Sequence, residues 1–289
     1  LSQGVVDRAM FHSDNGYYFP HALISSRRLK TNTVSNTAFR GFGGPQGMLA
    51  IERIIDAIAT ATNRDPLDIR KENFYRPGHV HTPYGMEVED YDTLHTLVAE
   101  LEATSSYRAR RAEIDAFNAH SPLVRRGLAL TPVKFGISFT LTQLNQAAAL
   151  VHVYADGSVH INHGGTEMGQ GLFQKVAQIV AEEFGIAMGR VRIMAAHEAR
   201  IHLSAASHYK TPKVEWNRVV AQGRPFYYFA YGAACCEVEI DTLTGESRLA
   251  RVDILHDVGS SLNPALDIGQ IEGAFVQGMG LLTTEDLVY

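Results

Sequence analysis

Cysteine is nearly absent: the 289 residues hold two, Cys235 and Cys236, side by side. Adjacent cysteines are badly placed to bridge each other, so no disulfide framework is expected, and the chain reads as a protein of a reducing, cytoplasmic compartment. No run of Lys or Arg exceeds two residues and the net charge is −5. That excludes the basic footprint of a protein that binds nucleic acid or an anionic membrane. No apolar run approaches the roughly 18 residues a membrane-spanning helix needs. The phosphate-loop and dinucleotide fingerprints are also missing, and Ser260-Ser261 lacks a nucleophile elbow. His197 and His202 stand five apart, where a helical zinc pair needs a spacing of four to share a face. An initiator Met and a leader pattern are absent at Leu1, and Tyr289 ends the chain without a cap; the expectation is an interior piece of a longer protein.

What the chain does have is glycine. Thr37-Ala38-Phe39-Arg40-Gly41-Phe42-Gly43-Gly44-Pro45-Gln46-Gly47 places four glycines within seven residues, a backbone able to turn sharply and approach a ligand. Met48, Leu49, Ile51, Ile54, Ile55 and Ile58 follow at helical spacing, and Pro45 suits a first helical turn. The loop predicts a helix start whose N–H groups and positive dipole end favour anions or electron-rich oxygens. Arg40, Phe39 and Phe42 add a cation and two aromatic rings, a set suited to a polar cofactor and a flat organic substrate.

Along the chain, residues 1–19 show no clear period and residues 21–35 read as extended. The helix after the glycine loop runs to about Thr62, and Asp65 is the N-cap of a shorter one through Asn73. Residues 76–92 read as a linker. Helices follow over roughly 92–104 and 105–117, the second charged and expected to be solvated. From Gly127 the pattern becomes strands. Leu128–Phe139 is strongly apolar, and Ala147–Tyr154 and Val159–Asn162 flank an Asp156-Gly157 turn. The loop His163–Gly171 leads a helix bearing Leu172, Val176, Ile179, Val180 and Phe184, and a short strand starts at Val191. Residues 195–225 yield no assignment; Phe226–Ile240 and Ser247–Asp257 form a second hairpin; Asn263–Gly280 is a third glycine-rich segment. The class is α+β, with no fixed-period repeat.

Gln46, Gln170 and Gln270 each sit beside glycine, and each is expected to open a helix. Their mixed donor and acceptor groups suit a heterocycle, so a cofactor cradle and ordinary turns both stand open. Taken singly, Arg8 reads as a surface cation, Phe139 as core, Cys235 and Cys236 as small buried hydrophobes. His152, His160 and His163 read as exposed or hydrogen-bonded rather than as metal ligands.

Thr37–Gly47 and His163–Gly171 together resemble the molybdenum hydroxylases, the xanthine dehydrogenase and aldehyde oxidase family, and the resemblance covers nearly the whole chain. Lys134–Thr140, Tyr231–Asp241 and Asp257–Gly280 are similar to the molybdenum-binding subunit of its bacterial, purine-hydroxylating branch. The resemblance implies a partial molybdopterin-binding fold in two domains, 1–92 and 93–289. It implies a molybdenum–molybdopterin cofactor, with 2Fe-2S clusters, FAD and NAD on a partner chain or domain, in a dimer of heterodimers. It further implies a catalytic, purine-orienting role for Arg8, a purine sandwich from Phe42 and Phe139, and a hydrogen bond to substrate from Thr140. Phe39, Arg40, Gly169, Gln170 and Gln270 would contact the cofactor. The Arg40 backbone would lie near the molybdenum oxo group, with no direct protein ligand to the metal. Arg8, Phe42, Phe139 and Thr140 together favour purines over the aldehydes or other N-heterocycles of neighbouring branches.

Several parts of the family pattern are not in the chain. These are a Gly-Glu-Pro-Pro segment with the general base, a Gly-Gly-Ser-Phe-Gly-Gly-Lys-Glu segment, and a long insertion with a Thr-Ala-Ala-Ser loop expected between Met194 and Ala195. Loss of a positioned acid–base group costs roughly 10²–10⁴-fold, so the 289-residue chain by itself is expected to be inactive. A non-catalytic remnant is the reading from a different class.

Overall fold

The computed structural model of the protein describes residues 2–34, 38–193 and 201–286. Its helices are α1 (Ser2–Phe11), α2 (Gly44–Thr62), α3 (Pro66–Glu72), α4 (Tyr91–Thr104), α5 (Tyr107–His120), α6 (Leu172–Phe184) and α7 (Pro264–Thr283). Its strands are β1 (Val124–Ile137), β2 (Gln146–Tyr154), β3 (Val159–His163), β4 (Val191–Ile193), β5 (Ile201–Lys210), β6 (Glu215–Asn217), β7 (Gln222–Arg224), β8 (Tyr228–Asp241) and β9 (Ser247–His256). Contacts divide the chain into two compact units, Leu1–Thr142 with Lys213–Asp257, and Gln143–Pro212 with Val258–Tyr289.

In the first unit an antiparallel sheet of order β1-β8-β9 packs against the helices. β1 continues through Pro132 and Gly136, which look like breaks in the sequence. It is an edge strand, where the missing proline N–H leaves no gap in the ladder. The core gathers Tyr17, Ile55, Leu67, Phe74, Val98, Tyr107, Leu130 and Phe226. α3 starts as its sequence predicts: Asp65 Oδ1 accepts from the Leu67 N–H at 2.8 Å.

Three expectations are corrected in this unit. α1 is a helix although its sequence has no apolar period, because it buries Asp7 and Arg8 along with Val5 and Phe11. Residues 76–92 are not a linker: Tyr84, Met86 and Val88 are part of the core. α5 is not solvated throughout, since Arg110 is buried and bonds Glu237 at 2.7 Å and Asp253 at 2.9 Å.

In the second unit the sheet order is β4-β3-β2-β5. β3 and β4 run parallel and the other pairs antiparallel. α6 lays Val176, Val180 and Ala181 on Val159, Ile161 and Val191, while Ile179 and Phe184, expected on the same face, are exposed. The third glycine-rich segment is α7, so Gln270 lies inside a helix rather than at its start. Gly269, Gly273 and Gly278 have nothing within 4 Å of a Cβ position, and Asn263 caps the first turn of α7 through Leu266 N–H at 3.2 Å.

Candidate functional site

The glycine loop before α2 serves packing first. A Cβ on Gly43 would lie 2.0 Å from the Val5 carbonyl oxygen, and one on Gly47 would lie 2.1 Å from that of Ala9. A Cβ on Gly44 would meet the Phe135 ring at 2.5 Å. These glycines let α2 press onto α1 and β1, a different use from the close ligand approach the sequence suggests. The outcome is that Phe42, at the tip of the turn, is held with φ at 52°. A bulky side chain in the left-handed region costs about 1–3 kcal/mol and clusters at functional loops.

That turn and α1 place four of the named residues together. Thr140 is buried, and its hydroxyl donates to the Gly4 carbonyl at 3.2 Å, which leaves its oxygen an acceptor toward any further group. The Phe42 ring packs over Gly4, where a Cβ would be 3.0 Å from it. Phe42 and Phe139 have ring centroids 5.4 Å apart at 52°. A ring stacked between them needs about 7 Å, two contact distances of about 3.5 Å, so the rings touch each other and leave no sandwich slot. Phe39 is half-buried and Arg40 exposed.

Arg8 is a buried cation, not the surface one its isolated position suggests. Its Nη1 donates to the Gly136 carbonyl at 2.9 Å and its Nη2 to that of Ser138. Its guanidinium stands over the rings of Phe135 and Phe226, 5.0 and 5.3 Å from their centroids. Burial pulls its pKa down to about 10, against a smaller upward effect from Tyr84, so it stays charged at neutral pH. His12, which the sequence did not single out, lies next to it. Its one visible signal is the four-residue spacing Arg8 to His12, the repeat of a helix face.

In the second unit, Glu167 organises the loop before α6. Its carboxylate accepts from the N–H groups of Gly169 at 2.9 Å, Gly171 at 3.0 Å and Phe173 at 3.1 Å. Those N–H groups, the Phe173 one foremost, hold the Glu167 pKa below the carboxylate range. The anion-favouring helix start is thus filled by the chain's own side chain. Gln170 bonds within the loop, from Met168 N–H at 2.6 Å and to the Thr166 carbonyl at 2.7 Å. Gln270 Nε2 donates to the Gly169 carbonyl at 3.1 Å. Gly164 and Gly169 are exposed with nothing within 4 Å of a Cβ position. Beside the loop lies a cleft of about 630 Å³ lined by Ala147, Ala149, Ile161, His163, Leu172 and Tyr209 among others. His163 Nδ1 accepts from Gly165 N–H at 3.0 Å, and its Nε2 is buried with no hydrogen-bond partner among the described residues.

His197-Glu198 and the Met194-Ala195 junction lie outside the described residues. Among the described residues no group of three or more His, Cys, Asp or Glu is placed to hold a metal ion. None of their helices is long and apolar enough to cross a membrane.

Two family models, both described as a molybdopterin cofactor-binding domain, match residues 1–74 and, in two pieces, 100–198 and 193–289. The chain belongs to the molybdopterin cofactor-binding domain family. It is 41% identical to the xanthine dehydrogenase/oxidase of Mus musculus and 43% to that of Gallus gallus, in each case over all of this chain and about a quarter of the relative (26% and 25%). The aldehyde oxidoreductase of Desulfovibrio desulfuricans shares the fold, with a TM-score of 0.83 at 20% identity over 97% of this chain and 36% of that one. The chain thus spans about a quarter of the length of the curated relatives it matches. The mouse alignment runs over 343 positions against 289 residues here, so the relatives carry extra residues inside the matched stretch. The second family model breaks at residues 193–198, the place where an insertion was expected.

The residues fit the cofactor class in one respect and not in another. The open space at Gly164 and the His163 Nε2, buried with no partner among the described residues, suit the edge of a polar heterocycle. A phosphate is not accommodated at the start of α6 while Glu167 occupies it.

Proposed function

We propose that the protein carrying this chain is a cytoplasmic molybdenum-dependent oxidoreductase of the xanthine dehydrogenase type, hydroxylating hypoxanthine and xanthine to urate. The observation that carries this reading is the gathering of Arg8, Phe42, Phe139 and Thr140 around Gly4 and the end of β1. The names of the 41–43% identical relatives support it. When bound, the molybdenum–molybdopterin group would supply the two-electron oxidation, with 2Fe-2S clusters, FAD and NAD on a partner chain or domain as the electron acceptors.

The chain's own residues orient and stabilise. Arg8 faces a purine oxygen as a fixed cation and offsets the negative charge that grows there. Its rigid seat between two rings means little reorganisation is needed as that charge develops. Phe42 and Phe139 hold the flat ring at a set angle, one by its face and one by its edge, since the gap between them is too small for a stack. Thr140 accepts from a purine N–H, or donates to an oxygen once it releases Gly4. Phe39, Arg40, Gly169, Gln170 and Gln270 would contact the cofactor, the Arg40 backbone near the metal centre, and Gln170 shapes its own loop. The matched segments support a first cofactor domain ending near residue 92 and a second beyond it. The assembly in this reading is a dimer of heterodimers.

The test is Arg8→Met in the cofactor-loaded protein, assayed on xanthine, hypoxanthine, nicotinate and benzaldehyde. Removal of a charge-stabilising donor costs roughly 10²–10³-fold, and the loss should fall on the two purines. An unchanged xanthine rate would remove Arg8 from the site.

A further inference from the structure

Three hydrogen bonds close a ring around the Arg8 side chain. Arg8 Nη1 donates to the Gly136 carbonyl at 2.9 Å, the Gly136 N–H points to His12 Nε2 at 2.9 Å, and His12 Nδ1 meets the Arg8 carbonyl at 2.8 Å. A backbone N–H can only donate and a backbone carbonyl can only accept. Both contacts therefore hold only for neutral imidazole with its proton on Nδ1. An imidazolium would set N–H against N–H at Gly136.

The geometry has two consequences. α1 ends at Phe11, and the His12 N–H turns to the Ala9 carbonyl at 3.2 Å. That leaves the Arg8 carbonyl without the backbone partner a continuing helix would give it. The His12 ring supplies that partner and ties the same point of α1 to β1. Gly136 lies two residues before Ser138, the second acceptor for Arg8, and just before Phe139 and Thr140. The ring is fully buried and packs on Phe135 and Phe226 at 4.8 and 5.3 Å, the two rings that also flank the guanidinium.

We propose that His12 is a positioning residue for Arg8, a neutral clamp that fixes the guanidinium against the strand end that leads into Phe139 and Thr140. The proposal rests on the reading of Arg8 as the purine-facing cation. His12 touches no reacting group itself. It sets where Arg8 stands, and a misplacement of about 1 Å costs on the order of 10²-fold. Desolvation, the nearby Lys134 charge and the Arg8 charge all favour the neutral ring, against one backbone bond that opposes them.

The experiment uses the cofactor-loaded protein with three variants: His12→Phe, His12→Asn and Arg8→Met, with the His12→Phe/Arg8→Met double. Urate binding and steady-state turnover of xanthine and benzaldehyde are measured. His12→Phe should lower xanthine turnover and weaken urate binding on the order of 10²-fold while sparing benzaldehyde. His12→Asn, which can keep the donor to the Arg8 carbonyl, should recover part of the loss and serves if the Phe variant does not fold. In the Arg8→Met background the His12→Phe effect should vanish, because a residue acting through Arg8 has nothing left to position. Equal losses on both substrates, or a full His12→Phe effect without Arg8, would overturn the proposal. Neutron diffraction of the intact protein gives a readout free of activity. A proton on His12 Nδ1 alone supports the clamp, and one on Nε2 sinks it. If Arg8→Met leaves xanthine turnover intact, the purine reading fails, while the proton position still judges the clamp.

Discussion

Lys134 Nζ lies 3.3 Å from Asp14 Oδ2, and both side chains are buried. The Tyr75 hydroxyl donates to the same carboxylate at 2.5 Å, and the Lys134 ammonium stands 4.2 Å from the centre of the Phe229 ring. Asn15 completes the arrangement, accepting from Lys134 N–H at 3.0 Å and donating to the Pro132 carbonyl at 2.9 Å. This polar cluster fastens the chain after α1 to β1, and β1 is the strand that leads into Phe139 and Thr140.

Breaking one partner of such a pair leaves an uncompensated buried charge and costs about 3–5 kcal/mol, whereas replacing both is often close to neutral. Lys134→Met should therefore destabilise the protein by about that amount. The Lys134→Met/Asp14→Leu double should recover a large part of it. Urea unfolding midpoints of the two variants decide the matter; a double no more stable than the single would show that the ion pair is not what Lys134 contributes.

Two helical glycines should respond with opposite signs to the same substitution. In a helix interior Gly→Ala normally stabilises by roughly 0.5–1 kcal/mol. Gly273 in α7 has nothing within 4 Å of its Cβ position and should follow that rule. Gly47 in α2 would put its Cβ 2.1 Å from the Ala9 carbonyl oxygen, so Gly47→Ala must push α1 and α2 apart, at about 1–3 kcal/mol or more. Thermal unfolding of both variants is the check, and a stabilised Gly47→Ala would contradict the close packing.

Local signals made much of this legible. The Asp65 cap, the Asp156-Gly157 hairpin and the helix after Pro45 are each set by a few neighbouring residues, and each is present. α1 was hidden because its inward face mixes Asp7 and Arg8 with Val5 and Phe11, so no apolar period exists to read. The 76–92 segment was hidden because its Pro and Gly content outweighed three core residues, Tyr84, Met86 and Val88. Composition exposed the glycine loops, but not that Val5, Ala9 and Phe135 fill the space those glycines leave. His12 was illegible for a further reason: its partner Gly136 is 124 residues away, and no spacing rule reaches that far.

Glu167 makes a prediction about anions. Its carboxylate takes three backbone N–H groups at the start of α6, the position where a free helix end would attract an anion. Glu167→Ala uncovers those donors. Inorganic phosphate should then raise the thermal midpoint of the variant more than that of the parent. An equal response in both would mean that the N–H groups find another partner within the loop.

His12 also predicts a specific acid sensitivity. Burial first, then the Lys134 and Arg8 charges, lower its pKa to about 3 from an ordinary 6.5. Between those values the unfolded chain binds a proton at this residue and the folded protein does not. Stability contributed by neutral His12 is therefore complete above about pH 6.5 and declines as pH falls toward 3, by about 1.4 kcal/mol per pH unit in the middle of the window. Asp14 acts in the opposite sense, since burial raises its pKa despite the Lys134 charge, so the wild-type curve alone mixes the two. His12→Phe removes only the His12 part. The variant is less stable at neutral pH, because the buried Gly136 N–H loses its acceptor at a cost of about 1–3 kcal/mol. The difference between wild type and variant should be constant above pH 7 and shrink steadily below pH 6. Urea unfolding at a series of pH values measures it. A difference that stays flat down to pH 4 would mean that His12 is not held neutral in the folded protein.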